Sequence, residues 1–196
     1  MSGAPETLAQ AAARLIVDDG LEYGAAKRKA AREFERRGGG RRTELPSNEA
    51  IEDEVREYLA LFQADTQPTE LAALRQFAAQ WMQRLAEFRP HLTGAVWRGT
   101  ATRRSVIQIE LYCDDPKAAE IGLLDRRIRF EPAGQADGPD LLRIEAPCPE
   151  LGESVSLVLQ VLDRDDLRGS LKPDARGRTW RGDLAALHRL MQAEAQ

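Results

Sequence analysis

The feature that most constrains this chain is a change of hydrophobic period at Pro90. Before it, apolar residues recur at the three-to-four-residue spacing that lines one stripe of a helix; after it, they alternate, which places them on one face of a strand. The reading that follows is an α+β fold: a helical N-terminal region over residues 1–89, then a small mixed β-sheet domain over 90–196 that ends in a helix. A chain of 196 residues can hold one substantial core, or a modest core plus a helical extension.

Local signals place the elements. ETLAQAAARLIVDD sets Leu8, Ala12, Leu15 and Ile16 on one stripe, GLEYG interrupts it, and AAKRKAAREFERR resumes with strong helix formers until GGG. Pro46 and Ser47 start an acidic helix over 47–64, with acids in its first turns where the helix dipole favours them. A fourth helix begins near Pro68, shows Leu71, Leu74, Phe77, Ala78, Trp81, Met82 and Leu85 as a packing face, and is closed by Pro90. HLTGAVWRG and SVIQIELYC then read as two strands, with 92–97 beside 105–113. DDPKAAEIGLLDR reads as a short helix, RIRFEP, LLRIEAP and SVSLVLQVL as strands, 166–182 as irregular, and DLAALHRLMQ as a terminal helix.

Composition excludes several classes. No apolar run approaches the ~20 residues of a membrane span. The start carries no basic-then-apolar segment, so a cytoplasmic setting with Cys113 and Cys148 reduced is expected. His91, expected in a loop, and His188 do not combine with those cysteines at zinc spacing. Neither a phosphate-binding Gly-x-x-x-x-Gly-Lys loop nor a Gly-x-Ser-x-Gly elbow is present. The net charge of −4 hides segregation: residues 27–42 carry eight Lys/Arg and two acids, 44–70 eight acids and one arginine, and 168–181 five bases and one acid. Such blocks steer partners or attract one another within one fold.

The stretch GAVWRGTATRRSVIQIELYCDD, residues 94–115, bears on chemistry. A glycine at a strand end lets backbone N–H groups approach a phosphate, and side chains two apart on the next strand aim at one point. Two carboxylates there would hold divalent ions for nucleotidyl transfer. Gly94-Ala95-Val96-Trp97-Arg98-Gly99, followed by Ser105-Val106-Ile107-Gln108-Ile109, resembles the nucleotidyltransferase superfamily that includes the polymerase-β-like enzymes, over roughly 90–165 in layout. The resemblance puts Gly94 and Ala95 on that family's Gly-Ser pair and Gly99 on its later glycine. Val106 and Gln108 fall on its two metal-binding aspartates. It implies a nucleotide-binding surface of Gly94, Ala95, Gly99 and Gln108 with a degenerate metal site, because valine ligates nothing and glutamine offers a neutral carbonyl. The family's third carboxylate belongs on a later strand, and SVSLVLQVL shows none before Asp163.

Glu110, Asp114 and Asp115 lie close enough in sequence to rebuild a displaced catalytic site with Mg2+. Glu110 reads equally as a solvent-facing strand residue, and the aspartates as a helix cap. Separately, residues 5–37 have the outline of a helix-turn-helix, whose Lys27, Arg28, Lys29 and Arg32 would contact nucleic acid. Arg36, Arg37, Arg41 and Arg42 would add phosphate contacts around the glycine run. The expectation is therefore a non-catalytic, regulatory protein binding nucleotide or nucleic acid. An active transferase using displaced carboxylates, or a protein-interaction module using the helix 47–64, stays open.

Overall fold

A computed structural model describes residues 6–38, 44–134, 140–174 and 176–194. The described residues form seven α-helices and a six-stranded mixed sheet, an α+β architecture. They divide into two compact units: Met1–Pro68 with Thr100–Ser105, and Thr69–Gly99 with Val106–Gln196. Among them no helix is long and apolar enough to cross a membrane.

The first unit is helical. α1 (Leu8–Asp19) starts at a capping box: Thr7 Oγ1 accepts from the Gln10 N–H, and Gln10 Oε1 accepts from the Thr7 N–H at 3.0 Å. α2 (Tyr23–Gly38) and α3 (Asn48–Phe62) both pack on α1. Ala11, Ala12, Ala26 and Ala30 are buried where the helices meet, so their backbones approach closely around Leu15, Ile16, Ile51, Val55 and Leu59. Ser47 caps α3 through the Ala50 N–H, and Tyr58 donates to Asp18 at 3.0 Å, tying α3 to α1. Residues 100–105 belong here too: Gln67 Nε2 donates to the Ala101 carbonyl at 2.9 Å, and the Arg104 guanidinium donates to the carbonyl of Asp18.

The second unit opens with α4 (Gln67–Arg84), whose expected apolar face is buried. α4 thus belongs with the sheet from Thr69 onward, although its period groups it with the helical region. It ends at Arg84, before Pro90, and a single 3-10 turn over Ala86–Phe88 follows. The remaining elements are β1 (His91–Thr93), α5 (Gly94–Arg98), β2 (Ile107–Cys113), α6 (Pro116–Asp125), β3 (Glu131–Pro132), β4 (Asp140–Cys148), β5 (Glu153–Asp163), β6 (Arg181–Gly182) and α7 (Leu184–Glu194). The strand order is β3-β4-β5-β2-β1-β6; β2 and β5 run parallel and every other pair antiparallel.

Register gives the sheet two distinct faces. One transverse row runs Pro132–Leu142–Leu159–Ile109–Leu92–Gly182 across all six strands, and its four central side chains are buried. The next row, on the opposite face, runs Glu131–Arg143–Val158–Gln108–Thr93–Arg181. Ile107, Ile109 and Leu111 are fully buried on the apolar face, as alternation in SVIQIELYC requires. Two strand expectations shorten. HLTGAVWRG pairs only over His91–Thr93 before turning into α5, and RIRFEP pairs only over Glu131–Pro132, because Arg127 and Ile128 are used to end α6. Cys113 and Cys148 are buried free thiols, and burial pushes both above the ordinary thiol range.

Gly182 ends the apolar row for a steric reason. A Cβ there would lie 2.1 Å from the Trp97 ring, which covers the bare backbone. Gly182→Ala is therefore expected to destabilise the fold by about 1–3 kcal/mol. Trp97→Leu in the same chain should recover part of the loss, measured as the difference in urea midpoint between single and double variants.

Candidate functional site

The chain leaves β1 extended at Thr93, with φ −137° and ψ −174°, and Gly94 then takes φ +69°, the left-handed region where a Cβ is strained. The same glycine presses on β2: a Cβ on Gly94 would lie 2.5 Å from Gln108 Oε1. Gly94 and Gln108, far apart in the motif, are thus brought together across the β1–β2 ladder, where Thr93 pairs with Gln108. Ala95 lies in the first turn of α5, and Gly99, also left-handed, closes it. Residues 94–97 are helical rather than the expected strand, because that left-handed glycine turns the chain out of the ladder.

A five-residue helix leaves most of its carbonyls without intrahelical partners. Arg75 of α4 supplies them. Arg75 is 1% exposed, and its guanidinium donates to the carbonyls of Val96 (2.9 Å) and Trp97 (3.1 Å) and pairs with Glu194 of α7. Trp97 Nε1 and Arg98 both donate to the Thr179 carbonyl, and Arg98 lies 4.1 Å above the Trp180 ring. Asp174 organises this loop by accepting from the Arg176 and Arg178 N–H groups, each at 2.9 Å. The backbone N–H of Arg178, helped by that of Arg176 and by the Arg178 and Arg98 guanidinium groups, holds its carboxyl below the usual carboxylate range.

Glu110 does not face solvent. It is buried, accepts from the Tyr112 hydroxyl at 2.7 Å, and has Arg181 Nε 3.2 Å from the same oxygen, at ion-pair distance though not aimed as a hydrogen bond. Arg181 also donates to the Tyr112 oxygen at 3.3 Å, and burial, reinforced by Glu110, pushes that phenol up. His91 is no loop residue: it opens β1, is buried edge-on against Tyr112, and directs Nδ1–H to the Arg89 carbonyl.

The remaining carboxylates go elsewhere. Asp115 caps α6 by accepting from the Lys117 N–H, and Asp114 pairs at the surface with Arg164, 3.6 Å away. Asp163 caps the turn after β5. Among the described residues no three His, Cys, Asp or Glu side chains are grouped to hold a metal. A divalent ion therefore does not fit at Gly94–Gln108, where the donors are neutral and Glu110 is already neutralised by Arg181.

In the basic block, Arg28, Arg32 and Arg36 are exposed at four-residue spacing along α2, and Lys27 is half-buried. Lys29 pairs with Asp19 at 2.9 Å, while Arg32 and Arg36 donate to backbone carbonyls one turn earlier. Within the described residues of this block, the acid that Lys29 meets is Asp19 of α1 rather than an acid of 44–70. Arg37 falls in the last turn of α2, and Arg41 and Arg42 lie outside the described residues. Arg75, Asp174, Trp180 and Arg181 carry no local motif; the charge excess of 168–181 is the one sequence signal that touches three of them.

A depressed carboxylate stabilises the folded state above its unfolded pKa, near 3.9, and loses that contribution as pH falls through the folded value. Asp174→Asn should accordingly lower the melting temperature at neutral pH. The gap to the parent should stay constant down to about pH 5 and close below about pH 4. A gap that persists unchanged at pH 2–3 would show that the charge contributes nothing. No family model matches this chain, and it matches no curated protein and no solved structure.

Proposed function

We propose that this chain is a non-catalytic, nucleotidyltransferase-like protein that binds nucleotide or nucleic acid in a regulatory role. One observation carries the reading: the bare, left-handed Gly94 backbone lies against the Gln108 amide, where the resembled family keeps a metal-binding aspartate. An amide both donates and accepts, so it suits a phosphate oxygen or a base edge without a bridging metal. Its neighbour on β5, Val158, and the flanking Ser156 and Gln160 are likewise uncharged, so β5 offers no acid beside Gln108 to carry a pair of metal ions. The active-transferase alternative draws no support from Glu110, whose charge is taken by Arg181 and Tyr112.

In the helical unit, the exposed Arg28–Arg32–Arg36 stripe supports phosphate contact, since guanidinium groups on one helix face release counterions when they meet a polyanion. The acidic α3 has a different surface: Leu61 and Phe62 at its end are 70% and 67% exposed, which favours a protein partner for that helix.

Two measurements test the reading. Incubated with magnesium or manganese and labelled nucleoside triphosphates, the protein should label no RNA, protein or small acceptor. Transfer that is abolished by Glu110→Gln would make it an enzyme. In filter binding, neutralising Lys27, Arg28, Lys29 and Arg32 together should weaken DNA or RNA binding and flatten its salt dependence by up to about one log–log unit per lost phosphate contact. Thermal stability should drop only slightly, through the lost Lys29–Asp19 pair. A parent protein that binds neither DNA nor RNA at low salt removes the nucleic-acid role.

A further inference from the structure

At the β3–β4 edge of the second unit's sheet lies a groove of about 650 Å3, bounded by the end of α6, the segment entering β3, and the polar face of β4. This volume is in the range that holds small ligands. One part of its wall is apolar, from Leu124, Ile128 and Phe130. The other is cationic, from Arg127, Arg129 and Arg143, all exposed and none paired with a described acid. Arg143 and Glu131 face each other across the β3–β4 ladder, yet no ion pair closes between them. Glu145 lines the same groove and accepts from the Ser156 hydroxyl.

Arg127 is held there at a conformational cost. α6 ends in a two-bond cap: the Ile128 N–H reaches the Leu123 carbonyl and the Arg127 N–H the Leu124 carbonyl, both at 2.9 Å. Such a cap puts its penultimate residue in the left-handed region, where glycine is the usual occupant; here Arg127 takes it at φ +56°. Nothing in the cap needs a side chain at that position. The side chain lines the groove instead, and residues held at such a backbone cost cluster at ligand sites.

We infer that this groove binds a nucleoside monophosphate. Three guanidinium groups match a doubly charged phosphate, with fork-shaped donors suited to its oxygens. Phe130 gives a flat apolar surface for a base to stack on. Glu131 and Glu145 offer acceptors for ribose hydroxyls, and the same carboxylates repel a continuous phosphate backbone, which favours a small ligand over a strand of nucleic acid. The site is separate from Gly94–Gln108 and does not rest on the reading given there. In the polar row Arg143 and Gln108 have β5 between them, two strand spacings or about 10 Å.

Calorimetric titration of the full chain with AMP, adenosine and inorganic phosphate tests this assignment. AMP should bind, and adenosine and phosphate should each bind at least about tenfold more weakly. Arg129→Gln and Arg143→Gln should each weaken AMP by about tenfold. Arg127→Gly is the decisive variant: it installs the residue the cap prefers, so the melting temperature should hold or rise while AMP affinity falls. Absence of AMP binding at millimolar concentration overturns the assignment, as does equal affinity for adenosine and AMP. Full AMP affinity in Arg127→Gly overturns it too. So does an AMP affinity that falls with Gln108→Ala but with none of the arginine variants, since AMP would then sit at the other site.

Discussion

A guanidinium almost without access to water joins three helices of the second unit. Burying a charge is costly unless every donor finds a partner. Arg75 bonds through all three guanidinium nitrogens, two of them to free carbonyls of α5, which need donors as much as the arginine needs acceptors. The consequence spreads outward from this mutual satisfaction. With its last turn fixed, α5 projects Trp97 over Gly182 and Arg98 over Trp180, so the irregular segment before β6 is held by a helix only five residues long. The Glu194 contact draws the last turn of α7 to the same point.

The two faces of the sheet divide labour in a way that bears on chemistry. The apolar row makes the core. At its centre the polar row is neutral, with Gln108, Thr93 and Val158, and Glu110 of the next row is drawn to Arg181. A surface of this kind has hydrogen-bonding capacity without field strength. It suits recognition of a ligand's shape and donor pattern better than the stabilisation of charge that develops in a transferring phosphate.

Local physics made much of this legible in the sequence. Ser47 and Asp115 announce the starts of α3 and α6, and the apolar stripe of α4 is buried as its spacing requires. What escaped is non-local. The turn of HLTGAVWRG into a helix depends on a left-handed Gly94 and on carbonyl partners 21 and 22 residues away. Glu110, open to several readings as a strand acid, is defined by Arg181, which is remote in sequence but brought in by the β1–β6 pairing. The arginine groove joins a helix end to a strand face, a juxtaposition set by register rather than by any short pattern.

The first unit is discontinuous in sequence: it takes Thr100–Ser105 from a stretch that the second unit flanks on both sides. During synthesis its three helices emerge first, yet Asp18 and Gln67 wait for the partners that Arg104 and Ala101 supply. By the time residue 105 is made, α4, β1 and α5 of the other unit have already been synthesised. The usual order, in which an N-terminal unit is finished before the next begins, is closed to this chain. Completion of the two units is interleaved, and a cut after Pro68 separates the helices from a piece of their own unit.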